Sequence, residues 1–293
     1  MTPASSPGAV ALVLRLTLLA LVLQPGGPPI TRAAVLVGAG LGLVRPRLLR
    51  APALWLGLAG LVGLRVVLDW PLADNHIYLT GYWCLAVALG VRARGPGAAL
   101  ATAGRLLVGL AFAFAVLWKG VLSPDYLDGR FFRVTLLTDP RFEDAALLLG
   151  QLTPAQLDTN RQALRPLPDA VEPVDGPELT EPRAFTWLAG VATWGMLVLE
   201  AAVAATFLAA LPAAATWSRH AALVLFAATA YAFAPVAGFG LVLLAMGLAQ
   251  CGPAQAVWRG LYLATFALVI VYREIPWAHF ALEALRRLQA IAA

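Results

Sequence analysis

Between Leu106 and Trp118 the chain carries no polar side chain, and similar apolar runs recur along most of its length. Runs of this kind decide the solvent before they decide the fold. With 60% hydrophobic residues, 13% charged residues and a mean hydropathy of +0.78, a single water-facing core cannot hide so much apolar surface in 293 residues. The sequence therefore implies lipid as solvent. In lipid only helices and closed barrels satisfy their own backbones, and the runs are too long and too continuous for barrel strands. The fold class expected is all-α, a polytopic transmembrane helix bundle.

Eight spans are read, at about 8–24, 30–44, 53–68, 76–91, 100–122, 184–211, 221–250 and 256–272. Four regions follow: spans one to five in residues 1–122, a polar loop at 123–183, spans six to eight in 184–275, and an amphipathic tail at 276–293. The seventh span is read as one helix interrupted at Pro235. Short-loop arginines fix the orientation. Arg45, Arg47 and Arg50, then Arg92 and Arg94, then Arg219, then Arg286 and Arg287 fall on one side of an eight-span chain, so both termini are expected in the cytoplasm of an inner cell membrane. The long loop, with eleven acidic residues against six arginines, is expected outside. It carries helix-start signals at Ser123-Pro124 and at Thr153-Pro154-Ala155-Gln156. Residues 166–182, rich in proline and acid, read as an extended connector.

The net charge of +5 does not signal nucleic acid, because the arginines stand singly or in small groups between apolar segments. Cys84 and Cys251 form no metal or redox motif, and no His/Cys/Asp/Glu grouping has metal-ligand spacing. The stretch Gly238-Phe239-Gly240 reads as a helix-packing feature.

Chemistry is sought where charge meets the apolar runs. Lys119, the one lysine in the chain, directly follows the Leu106–Trp118 run. It either snorkels to the headgroups or sits in a pocket of low dielectric, where an amine gives up its proton more readily and serves as a base. In the eight-span reading the Asp74-Asn75-His76 turn lies on the same outer side, so amine, amide and imidazole are expected to converge there, with Asn75 alternatively a helix cap. Glu200 lies about 24 Å along the sixth span at 1.5 Å per residue, deeper than Lys119 unless the span starts later or tilts. A carboxylate at that depth is functional or paired, with Arg15, Arg32, Arg65 and Arg105 as candidate partners. Tyr78, Trp83 and Trp118 fit an interfacial aromatic belt. His220 and His279 are expected on the cytoplasmic side.

The segment Trp70-Pro71-Leu72-Ala73-Asp74-Asn75-His76-Ile77-Tyr78-Leu79 resembles the Asn-His-x-Tyr-Leu signature of the vitamin K-dependent carboxylase-like membrane proteins, which share the horizontally transferred transmembrane (HTTM) domain. Lys119 followed by Ser123-Pro124-Asp125-Tyr126-Leu127-Asp128-Gly129 is similar to that family's lysine and Asp-aromatic-aliphatic-acidic-Gly run, and Glu200 to a glutamate at a comparable place. The resemblance implies Lys119 as the base that deprotonates a hydroquinone, His76 and Asn75 as groups that bind or polarise its ring, and Asp74, Tyr78, Trp118 and Glu200 beside them. It implies a quinone or hydroquinone as cofactor or substrate and carboxylase- or epoxidase-like chemistry. A second reading stays open: a non-enzymatic membrane partner, or a maturation factor for a secreted peptide or protein, engaging it through the 123–183 loop. A transporter ranks last, for want of internal repeats.

Overall fold

The computed structural model describes residues 7–24, 26–71, 73–165, 178–233 and 236–292, and among these residues it is all-helical, with no strand. Fourteen helices follow one another: α1 (Pro7–Leu23), α2 (Pro29–Val44), α3 (Pro52–Leu68), α4 (Asn75–Gly90), α5 (Pro96–Leu117), α6 (Pro124–Leu127), α7 (Arg130–Thr138), α8 (Glu143–Leu148), α9 (Pro154–Ala163), α10 (Arg183–Leu208), α11 (Trp217–Phe233), α12 (Ala237–Leu248), α13 (Ala256–Glu274) and α14 (Trp277–Ala292). Proline opens many of them, at the first-turn position where its missing N–H costs nothing.

Among the described residues three helices are long and apolar enough to cross a membrane: Pro96–Leu122, Arg183–Leu208 and Ala256–Glu274. Four further apolar helices (Pro7–Leu23, Pro29–Val44, Pro52–Leu68 and Gly238–Leu248) are shorter. At 1.5 Å per residue they reach about 16–26 Å, less than the ~30 Å hydrocarbon layer. Large apolar side chains point outward, among them Val37, Val44, Leu89, Phe114, Trp187 and Val198, as they do where the surroundings are not water.

The chain divides into two compact units: Met1–Phe114 with Ala201–Tyr231 and Pro235–Arg273, and Ala115–Glu200 with Ala232–Ala234 and Glu274–Ala293. In the first unit α3 packs along α4, and α1 packs on α2 and α12. The helix most enclosed is the short α12, whose residues Leu241 to Ala249 are all buried. Its Leu-Val-Leu-Leu-Ala-Met-Gly-Leu sequence is apolar all round, which suits a helix with neighbours on every side. Small residues admit those neighbours: a Cβ at Gly104 would come within 3.0 Å of the Met246 carbonyl oxygen, and one at Gly247 within 2.5 Å of the Tyr262 ring. Buried polar groups find partners, as Trp83 Nε1 does at Thr17 Oγ1 (3.0 Å) and His220 between Tyr262 and Gln255 (3.1 Å each).

The expectation of one interrupted seventh helix fails here. A Cβ at Gly240 would meet Tyr231 and a Cβ at Gly247 would meet Leu223. As numbering rises along α12 its partners fall along α11, so the two run antiparallel. The two are therefore separate helices; Pro235 lies outside the described residues. The Gly238-Phe239-Gly240 stretch does pack closely, with a Cβ at Gly238 reaching Gln24 at 2.8 Å.

The second unit holds most of the polar loop, folded into α6 to α9. Its core gathers Tyr126, Phe132, Leu136, Leu137, Leu157, Phe185 and Ala189. Thr153 and Gln156 form the expected capping box at the start of α9. Ser123 precedes Pro124 at the start of α6 but makes no capping bond through its side chain. The expected connector lies outside the described residues from 166 to 177. The tail helix α14 packs on α8, with His279 3.6 Å from Asp144 and 3.6 Å from Glu283. Groups in contact share a side of any membrane. That contact sets the tail helix and His279 against the loop helix α8, where the sequence reading put loop and tail on opposite sides.

Candidate functional site

Lys119 does not end an ordinary helix. After α5 the chain widens into one π-helical turn, Trp118–Leu122. Such turns are rare and recur at functional sites, because the extra residue re-aims a side chain. Here the turn directs Lys119 Nζ to Glu200 Oε1, at 2.5 Å. The lysine side chain is 23% exposed and the glutamate 8%. The ammonium group also lies 5.1 Å from the centre of the Tyr126 ring, a distance at which the ring's quadrupole attracts a cation.

Tyr126 comes from α6, directly after the π turn, and is buried at 2% exposure. Its ring packs against Phe131 and Phe132 at 5.4 and 5.8 Å. Gly129, with φ at +82°, turns the chain between α6 and α7 and sits where a Cβ would touch Thr193 Oγ1 at 3.7 Å. Thr193 and Glu200 stand two turns apart on α10, so they share a face, and Thr193 returns its own hydroxyl to Ala189 O at 2.8 Å.

Two atoms of this group have no hydrogen-bond partner among the described residues: the Tyr126 hydroxyl and Glu200 Oε2. A buried polar atom without a partner costs about 1–3 kcal/mol, so the pair of vacant valences is a specific feature of the site. Burial, reinforced by the charge of Glu200, pushes the Tyr126 phenol above its ordinary range. The phenol therefore stays protonated and available as a donor, while Glu200 Oε2 is available as an acceptor.

The partner of Glu200 corrects the depth argument. Counting 1.5 Å per residue from the start of the span placed the carboxylate near the bilayer middle, among arginines. The first turns of α10 in fact belong to the loop core, where Phe185 and Ala189 are buried. Glu200 is thereby raised to the level of the π turn, and Lys119 takes it rather than Arg15, Arg32, Arg65 or Arg105. No sequence signal marks Tyr126 as part of the site beyond its place in the Ser123–Gly129 run.

The remaining expected residues belong to the other unit or face outward. Asn75 and Asp74 are exposed at the start of α4, where Asp74 takes the cap position without a side-chain cap bond. His76 Nε2 lies 3.8 Å from Asp74 Oδ2, and its ring is 6.2 Å from that of Phe239. Tyr78 is half-buried one turn on, and Trp118 is 63% exposed. His76 and Asn75 belong to the first unit and Lys119 to the second; within the second unit the structure joins amine, carboxylate and phenol. No His/Cys/Asp/Glu group suited to a metal ion occurs among the described residues.

Among the described residues, fold and site together define a helical protein with three helices long and apolar enough to cross a membrane and a largely buried amine–carboxylate–phenol cluster. Compared with known protein families, with curated proteins and with solved structures, the chain has no match.

Proposed function

We propose that this is a multi-pass membrane protein whose Lys119–Glu200–Tyr126 cluster performs acid–base chemistry on a lipid-soluble hydroxyl compound of the hydroquinone type. The observation that carries the reading is the vacant Glu200 Oε2 beside a paired ammonium group and a vacant phenol. Oε2 accepts the proton of a substrate hydroxyl, the ammonium of Lys119 stabilises the oxyanion that forms, and the Tyr126 hydroxyl donates to a second oxygen. The role assigned to lysine by the HTTM resemblance passes in part to the carboxylate it holds. Carriage by the bilayer suits a substrate of this class, and the Phe131 and Phe132 rings beside Tyr126 supply faces on which a quinone ring stacks.

In this reading the protein sits in an inner cell membrane, with the loop and the tail helix on its extracytoplasmic face and the amino terminus in the cytoplasm. The contact of α14 with α8 supports placing loop and tail on one side.

The test is the oxidation of an added naphthohydroquinone by dissolved dioxygen in membranes containing the protein, the electrons and protons passing to the oxygen as the quinone forms. Lys119→Ala and Glu200→Gln abolish turnover while both proteins still insert into the membrane. Full turnover by either variant removes the reading. The folded loop, with Phe131 and Leu149 exposed on it, favours the second reading, a partner for a secreted peptide. That reading predicts stable co-purification of the peptide, unaffected by Lys119→Ala.

A further inference from the structure

A second polar site lies in the other unit, around the turn that joins α1 to α2. Arg32 donates to Leu21 O and Val22 O at 2.8 and 2.6 Å, and Arg273 donates to Leu23 O at 2.5 Å. The last carbonyls of α1 carry the negative end of its dipole, which accounts for two guanidinium groups there. Arg65 joins them, paired with Asp69 at 3.2 Å. Arg32 stands in the repulsive field of both Arg65 and Arg273. Three guanidinium groups thus gather at one apolar edge, Arg65 on a carboxylate and Arg32 and Arg273 on helix carbonyls.

The turn is shaped around the arginine. Gly26 and Gly27 adopt φ of +77° and +94°, and a Cβ on Gly27 would strike Arg65 at 2.7 Å. Beside it runs a narrow cleft with Gln24, Thr31, Arg32 and Arg65 as polar lining and Leu21, Val35, Leu61, Val62 and Ile77 as apolar walls. Gln24 is 5% exposed, and its Nε2 has no acceptor among the described residues. Capping α1 does not explain that amide. It is a buried donor lining the same cleft as Arg32 and Arg65, so an acceptor that carries negative charge would serve all three.

We propose that this cleft binds an anionic phosphate group, with Gln24 Nε2, Arg32 and Arg65 as its donors. Guanidinium forks match phosphate oxygens in pairs, and the apolar walls suit the glycerol and upper acyl carbons of a phospholipid. The site is independent of the Lys119 cluster and stands or falls without it.

The full-length chain, purified in neutral detergent, is titrated with short-chain phosphatidylglycerol, with phosphatidylcholine and inorganic phosphate as parallel arms, and occupancy is read by native mass spectrometry. Phosphatidylglycerol binds at least about tenfold tighter than phosphatidylcholine. Gln24→Leu, which removes an unsatisfied donor and keeps the fold, weakens that binding about tenfold, the value of one hydrogen bond to a charged group. Arg65→Lys, which keeps the charge and loses the fork, weakens it severalfold. Competition by millimolar inorganic phosphate identifies free phosphate as the ligand, and its absence identifies the lipid headgroup. Equal binding of the two lipids, or wild-type affinity in Gln24→Leu, overturns the proposal.

Discussion

The Lys119–Glu200 pair and the Arg32–Arg65–Arg273 cluster both hold charge against apolar surroundings, by opposite means. The first sets one cation on one anion at 2.5 Å and leaves vacancies on the acid side, at Glu200 Oε2 and Tyr126. The second gathers like charges round helix carbonyls and one carboxylate, and leaves its vacancy on a donor, Gln24 Nε2. A balanced pair with a spare acceptor is equipped to take a proton. A cationic cluster with a spare donor is equipped to hold an anion.

If the first cluster is balanced, breaking it from one side has the largest effect. Lys119→Met leaves the Glu200 carboxylate buried and alone and destabilises the protein by about 3–5 kcal/mol. The double change Lys119→Met with Glu200→Leu restores most of that loss, and a thermal-denaturation cycle in detergent measures the coupling. A coupling near zero would reduce the pair to a surface contact. Next in size comes the packing that places α12 within the first unit. Gly247→Val drives a side chain into Tyr262 and Leu223 and costs about 1–3 kcal/mol, read as a lowered Tm.

The loop obeys the rules of a water-facing domain, and smaller effects are expected there. Thr153→Ala removes the capping box of α9 and costs about 1 kcal/mol, seen as faster amide exchange in that helix. Smallest is the acid dependence of Asp139. Its hydrogen bond to Arg141 holds the carboxyl below the usual value of 3.8. The stabilisation is therefore complete above that value and is lost as pH falls through the lower, folded one. As a local pair with a half-exposed arginine it contributes less than about 1 kcal/mol, and Asp139→Asn flattens the stability curve only in that acid window.

How far the sequence could be read follows the same division. The helical class was legible from runs such as Leu106–Trp118, since only a helix hides its backbone in hydrocarbon. Local signals such as Thr153-Pro154-Ala155-Gln156 were legible too, because a capping box closes within four residues. The α11–α12 reversal was not, because proline at 235 interrupts a helix equally well by kinking it or by ending it. The level of Glu200 against Lys119 turned on where the sixth span starts, which residue counting left open; α10 begins inside the loop core. The partnership of Lys119 with Glu200 joins residues 81 apart in sequence, and pattern alone does not reach across that distance.

The central claim is that the Lys119–Glu200 pair draws a proton from a bound hydroxyl. The direct measurement is the ionisation of a naphthohydroquinone bound to the purified protein, followed by its absorbance across pH. The account predicts that the bound hydroquinone ionises at least about one pH unit lower than in empty detergent micelles, the shift expected from a neighbouring cation, and that Lys119→Met abolishes the difference. Ionisation at the same pH in protein and in micelles, or a difference that survives Lys119→Met, would contradict it.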